Sequence, residues 1–189
     1  FSGIAIYLKR KRNTKQHLVL DDKDASEIVI LVGSEGGSTF AFAKALAKQI
    51  SKQGKSVYLG SLNQYTSYQK ATQLLILTAT YGDGDAPGSA GRFMDRLRDF
   101  RAGSALKYAV LGFGDRQYPN FCRFALEVDE ALAGKGLSRI QPVELIDRCS
   151  AARFSEWGDR LGTAIGAQLS LSHDPVPPRT FRLELAGRV

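Results

Sequence analysis

Four short apolar runs punctuate the chain, each bounded by turn residues: Glu27 to Val32, Ser56 to Ser61, Leu74 to Thr80 and Tyr108 to Phe113. Continuous apolar character over five to eight positions predicts strands covered on both faces. A fifth run, Arg139 to Ile146, is broken by Pro142, which cannot donate to a ladder, so it is expected at a sheet edge. Between the runs the apolar positions recur with helical period. Phe42, Leu46, Ala47 and Ile50 make one stripe, closed by Gly54, and Phe93, Leu97 and Phe100 make a second. Phe121, Phe124, Val128 and Leu132 make a third, ending at Gly134, and Phe154, Trp157, Leu161, Ile165 and Leu169 make the last. Buried strands alternating with amphipathic helices predict a doubly wound α/β fold, a five-stranded parallel sheet with helices on both faces.

In such a sheet a ligand sits outside the carboxyl ends of the strands, where the strand order reverses. The loops after strands one, three and four therefore carry the candidate chemistry. The first is Gly33-Ser34-Glu35-Gly36-Gly37-Ser38-Thr39, opening a helix near Phe40. Its paired glycines let successive amides turn inward, the helix start adds positive dipole, and Ser34, Ser38 and Thr39 add hydroxyls. This is a phosphate cradle without a cation. It has no Gly-Lys-Ser/Thr of a nucleoside triphosphatase loop, and GxGxxG cannot be fitted to it. The second loop is Thr78-Ala79-Thr80-Tyr81-Gly82-Asp83-Gly84-Asp85-Ala86-Pro87, and the third is Gly112-Phe113-Gly114-Asp115-Arg116-Gln117-Tyr118-Pro119. Each offers an aromatic at a strand end, so Tyr81 and Tyr118 are expected to enclose one planar ring system. Three such loops in sequence point to a cofactor that joins a ring to a phosphate.

Composition narrows the remaining choices. The chain has 189 residues, 43% hydrophobic and 24% charged, which is enough for one full core and excludes disorder. Its net charge is +7, but Lys9, Arg10, Lys11, Arg12 and Lys15 lie in the first fifteen residues without an acid, leaving +2 for the body. A basic nucleic-acid binder is thereby set aside. Arg92, Arg96, Arg98 and Arg101 read as a solvated helix face. Cys122 and Cys149 are too few for a disulfide framework and read as packing residues, as does Trp157. No metal site is expected. His17 and His173 read as solvated surface residues without a catalytic role.

The ends carry their own expectations. The first residue is Phe1 and the only methionine is Met94, so the chain is expected to be a fragment. Residues 1–25 are either the last turns of a spanning helix (Phe1 to Leu8) with a basic stop-transfer cluster and linker, or a disordered basic arm. Residues 26–171 form the main domain. Residues 172–189 combine a Pro-rich linker with an alternating segment, Thr180 to Leu185, that reads as the first strand of a following domain.

Gly33-Ser-Glu-Gly-Gly-Ser-Thr39, Thr78-Ala-Thr-Tyr-Gly-Asp-Gly-Asp-Ala-Pro87 and Leu111-Gly-Phe-Gly-Asp-Arg-Gln-Tyr-Pro-Asn-Phe-Cys122 resemble the three flavin loops of the flavodoxin-like FMN domain of diflavin reductases. That family includes NADPH-sulfite reductase flavoprotein and the NADPH-haemoprotein reductases. The resemblance spans about residues 26 to 170. It implies FMN, its phosphate held by Ser34, Glu35, Gly36, Gly37, Ser38 and Thr39 and its ring stacked on Tyr81 and Tyr118. The ring edge is implied to be lined by Ala79, Thr80, Gly82 and Asp83, and by Phe113, Gly114, Asp115, Arg116, Gln117, Pro119, Asn120, Phe121 and Cys122. Asp147 matches an acidic position near the flavin. The family implies an FAD- and NADPH-binding portion of the parent chain downstream, single-electron transfer to a haem or ferric-iron acceptor, and no catalytic side chain. The basic N-terminus suits a membrane-attached member on the cytoplasmic side of a bacterial inner membrane. This chain departs from the family pattern at Gly36 and Glu35, which removes one phosphate hydroxyl and is expected to set a carboxylate beside a dianion. The alternative is a flavodoxin-like signalling or interaction module that binds no flavin.

Overall fold

The computed structural model describes residues 22–100 and 105–172. Expectations for residues 1–21 and 173–189, the spanning helix, basic arm, linker and following strand, lie outside the described residues. Among the described residues no helix is long and apolar enough to cross a membrane.

The apolar runs become parallel strands: β1 (Ile28–Gly33), β2 (Val57–Ser61), β3 (Gln73–Ala79) and β4 (Lys107–Gly114). Pro142 divides the fifth position into two short segments, β5 (Ser138–Arg139) and β6 (Glu144–Asp147), and both pair with β4. The edge placement expected from that proline is correct; the single strand is two. Strand order is β2-β1-β3-β4-β5, parallel throughout. The direction of winding therefore reverses between β1 and β3.

Helices α1 (Ser38–Lys52), α2 (Phe93–Arg98), α3 (Arg123–Gly134) and α4 (Ala151–Ile165) cover the sheet. Strand period two sends alternate residues to opposite faces. Ile28, Ile30 and Val32 join α1 and α4 in one core, while Val29 and Leu31 join α2 and α3 in the other. The stripes overran the helices at three positions. Phe100 follows α2, Phe121 precedes α3 and Leu169 follows α4, although all three still pack against the core. Apolar periodicity reports burial, and burial continues into the adjoining turns.

One packing chain reaches the carboxyl edge of the sheet. Phe113, near the end of β4, stacks on Phe42 of α1 with ring centroids 5.0 Å apart, and Phe42 meets Phe154 of α4 edge-on at 4.7 Å. Phe154 lies parallel to Trp157 at 6.1 Å. Trp157 is core, as its stripe position predicts. This aromatic layer fixes β4 and its following loop against both helices. Phe42→Ala is expected to lower stability by about 3–5 kcal/mol, measured by urea unfolding.

Candidate functional site

The three candidate loops meet at the carboxyl edge, around a cleft of about 500 Å³. The first loop leaves β1 and enters α1 two residues earlier than the sequence pattern indicates, at Ser38. Gly37 makes the turn with φ near 80°, a left-handed conformation that costs glycine little. No side chain caps the helix and its first turn holds no acid, so its leading amides are open to an anion. The Gly37 amide donates to Ser34 Oγ at 3.0 Å, which fixes the turn before the helix. Ser38 and Thr39 line the cleft.

Glu35 differs from the expectation. Its Oε2 accepts from the Gly88 amide at 2.7 Å, and the residue does not line the cleft. Ser34, Gly36 and Gly37 do not line it either, so only Ser38 and Thr39 of the first loop reach the cleft, while one oxygen of the Glu35 carboxylate is engaged by the segment after the second loop. Ser34 is fastened to the same segment, its amide donating to Ser89 Oγ at 2.7 Å while that hydroxyl donates to Ser34 O at 2.9 Å. Ser89 and Gly88 were not legible as site residues, because nothing in Pro87-Gly88-Ser89 distinguishes a latch from an ordinary turn.

The second loop folds into a tight hairpin in which Tyr81 and Asp85 exchange two backbone hydrogen bonds, 2.9 and 2.8 Å. Gly82 lies within it at φ 52° with open space where a Cβ would project. The third loop is tied to it by Asn120, whose Nδ2 donates to both Asp83 O and Asp83 Oδ1 at 3.0 Å. The second loop lines the cleft with Ala79, Thr80, Tyr81, Gly82 and Asp83. The third lines it with Phe113, Gly114, Asp115, Tyr118, Asn120, Phe121 and Cys122.

Arg116, Gln117, Pro119 and Asp147 do not line it. Their atoms shape the third loop instead. Asp147 Oδ1 accepts from the Arg116 amide at 3.0 Å, Asp115 Oδ1 accepts from the Gln117 amide at 2.8 Å, and Arg116 lies over the Phe121 ring at 5.3 Å. The carboxylates of Asp83, Asp85 and Asp115 are met by cations. Arg148 Nε pairs with Asp115 Oδ2 at 3.3 Å, and the fields of Asp83 and Asp85 reach Arg123. Arg123 itself is bound to Glu127.

Exposure decides what the tyrosines are for. Tyr81 is 56% exposed and Tyr118 60%, and the only other large hydrophobic side chain exposed among the described residues is Leu126 at 37%. Two aromatics left in water on facing loops of one cleft are poor core material and good stacking surfaces. The cleft also holds two buried hydroxyls without a protein partner, Thr39 Oγ1 and Thr80 Oγ1. A buried polar atom left without a protein partner is costly, so both hydroxyls are open to a ligand or water in the cleft.

The geometry has a match among known proteins. The flavodoxin family model fits residues 30–157. The chain belongs to the flavodoxin family. It is 34% identical over 151 residues to the sulfite reductase (NADPH) flavoprotein alpha-component of Shewanella sp. strain MR-7, covering 78% of this chain and 25% of that protein. It is 30% identical over 153 residues to NADPH oxidoreductase A of Dictyostelium discoideum, covering 78% of this chain and 24% of the other. The chain thus spans about a quarter of the length of these oxidoreductases. Among solved structures it resembles a Streptococcus pneumonia flavodoxin with TM-score 0.63 and 23% identity, covering 74% of this chain and 95% of that one. Oxidised flavodoxin 1 of Bacillus cereus gives 0.62 and 20%, with 74% and 95% covered. These two likenesses concern the fold. FMN is the cofactor that family membership brings to this domain.

The residues present fit that group. Open helix amides and the Thr39 hydroxyl suit a phosphate, the two tyrosines suit a flat ring, and the Thr80 hydroxyl is a further polar group in the cleft. Burial disfavours the thiolate at both cysteines. Burial pushes the Cys122 thiol up to about 12, helped by the charge of Asp147. Cys149, a cleft residue the loop motifs did not reveal, is also raised by burial, partly opposed by a hydrogen bond with Ser38. The lowered pKa that a helix start would give Cys149 is therefore overridden by desolvation. Tyr81→Ala and Tyr118→Ala are each expected to weaken FMN binding about tenfold with the fold intact, read by fluorescence titration of the FMN-free domain; unchanged affinity in both would place the flavin elsewhere.

Proposed function

We propose that this chain is the FMN-binding electron-transfer module of an NADPH-dependent diflavin reductase. It takes electrons from an FAD- and NADPH-binding portion of the same parent chain and passes them singly to a haem or ferric-iron acceptor. The observation that carries this reading is the pair of solvent-exposed tyrosines on facing loops of a cleft that also holds orphaned hydroxyls. The alternative, a module that binds no flavin, leaves those side chains without a purpose. The names and lengths of the relatives support the fused reductase. Attachment to the cytoplasmic side of a bacterial inner membrane, expected from residues 1–12, rests on the sequence alone, and the proposal does not require it.

FMN, when bound, supplies the electron exchange, so the protein's tasks are holding, orienting and shielding it. The Ser38 and Thr39 amides and the Thr39 hydroxyl would hold the phosphate, with Ser34 Oγ fixing the turn through the Gly37 amide. Tyr81 and Tyr118 enclose the ring, Phe113 and Cys122 close the floor with apolar contact, and Gly82 leaves the backbone free to meet the ring edge without a side chain in between. No side chain acts as a general acid, base or nucleophile.

The purified protein is expected to be yellow, and acid extraction should release FMN. A protein that is colourless and takes up no added FMN contradicts the reading. Reduced chemically, the domain should pass electrons to cytochrome c or ferric complexes while oxidising NADPH hardly at all. NADPH turnover at the rate of a longer chain would show that the module is a complete enzyme.

A further inference from the structure

The first loop is held by a clasp that lies outside the cleft. Three hydrogen bonds join it to residues 88–89: the Ser34 amide to Ser89 Oγ, Ser89 Oγ to Ser34 O, and the Gly88 amide to Glu35 Oε2. Residues 88–89 are anchored in turn. Ser89 O accepts from Ser61 Oγ at 2.7 Å and from the Asn63 amide at 2.9 Å, and Gly88 O accepts from Asn63 Nδ2 at 2.7 Å. Ser61 ends β2 and Asn63 belongs to the 3-10 turn Leu62–Gln64 that follows it. The start of the phosphate turn is thereby braced against the end of β2 through Gly88, Ser89, Ser61 and Asn63, none of which lines the cleft.

We propose that Ser89 and Glu35 are positioning residues that preorganise the phosphate turn and so set the preference of this domain for a flavin carrying a 5′-phosphate over one without it. The proposal rests on the FMN reading above. Two features of the chain call for such a device. Gly36 and Gly37 are adjacent and a Cβ at either would meet nothing within 4 Å, so the loop has little packing of its own to fix its amides. The loop also contains a carboxylate and no cation, and a carboxylate loose in the turn would repel a phosphate dianion. Binding Glu35 Oε2 to the Gly88 amide meets both needs, since the charge-assisted bond adds rigidity while engaging the negative group outside the phosphate turn. Rigidity obtained before binding reduces the ordering cost that phosphate contacts must otherwise offset.

The test titrates FMN and riboflavin into the FMN-free forms of wild type, Glu35→Gln, Glu35→Ala and Ser89→Ala, and follows hydrogen exchange of the Ser34 and Gly88 amides in the same forms without flavin. Glutamine keeps an acceptor for Gly88, so Glu35→Gln should hold FMN affinity within about threefold of wild type. Glu35→Ala and Ser89→Ala each lose part of the clasp and should weaken FMN about tenfold while changing riboflavin by less than about twofold. The Gly88 amide should exchange slowly in wild type and Glu35→Gln and fast in Glu35→Ala. A tenfold gain in FMN affinity in Glu35→Gln would place the carboxylate against the phosphate and overturn the proposal. Equal losses for both flavins, or no loss in either alanine variant, would overturn it as well. If wild type binds neither flavin, the FMN reading fails, and the exchange rates still decide whether the clasp exists.

Discussion

The site depends on the parallel pairing of β1, β3 and β4. Val32, Leu77 and Leu111 lie in successive register, as do Gly33, Thr78 and Gly112, so the three strands end side by side at one edge. Each then releases a loop within reach of the next. Because β2 pairs on the far side of β1, the chain winds one way after β1 and the other after β3, and the helices on the two faces leave a cleft between the departing loops. The cleft follows from strand order, and the loops supply its chemistry.

Loop chemistry is in turn supported by contacts that join the loops to one another and to the core. Phe113 is fixed by Phe42, Asn120 joins the second loop to the third, and Asp147 organises the third from β6. Ser89 and Glu35 join the first loop to the stretch after the second. Strain collects at the same place. Cys122, Arg148 and Cys149 are the non-glycine residues with positive φ among those described; two of them line the cleft and the third pairs with Asp115. Such conformations persist only where the surroundings over-determine them.

Much of this was legible in the sequence. Strand-length apolar runs, helical stripes and Pro142 were enough to give a doubly wound parallel sheet with the fifth run at its edge, but not the division of that run into two strands. Glycine, aromatic and hydroxyl residues at the ends of β1, β3 and β4 were enough to locate the cleft. Side-chain direction was not legible. Glu35 sits in the phosphate loop by sequence, yet its carboxylate is bound elsewhere, and Asp147 and Arg116 brace the third loop without lining the cleft. Ser89 and Cys149 entered the site only through folding, because their partners, Ser34 and Ser38, are more than fifty residues away. Charge balance at the rim was likewise a tertiary matter, since Arg148 meets Asp115 across two different loops.

The central claim is that one flavin occupies the cleft formed by these three loops. Amide chemical-shift mapping of the FMN-free domain during titration with FMN tests it most directly. The account predicts large perturbations at residues 34–39, 79–85, 113–122 and 147–149, saturating at one equivalent, with the outer face of α1 and α4 around Gln49 and Thr163 unchanged. Perturbations centred outside these loops, or no change at a saturating concentration of FMN, would contradict it.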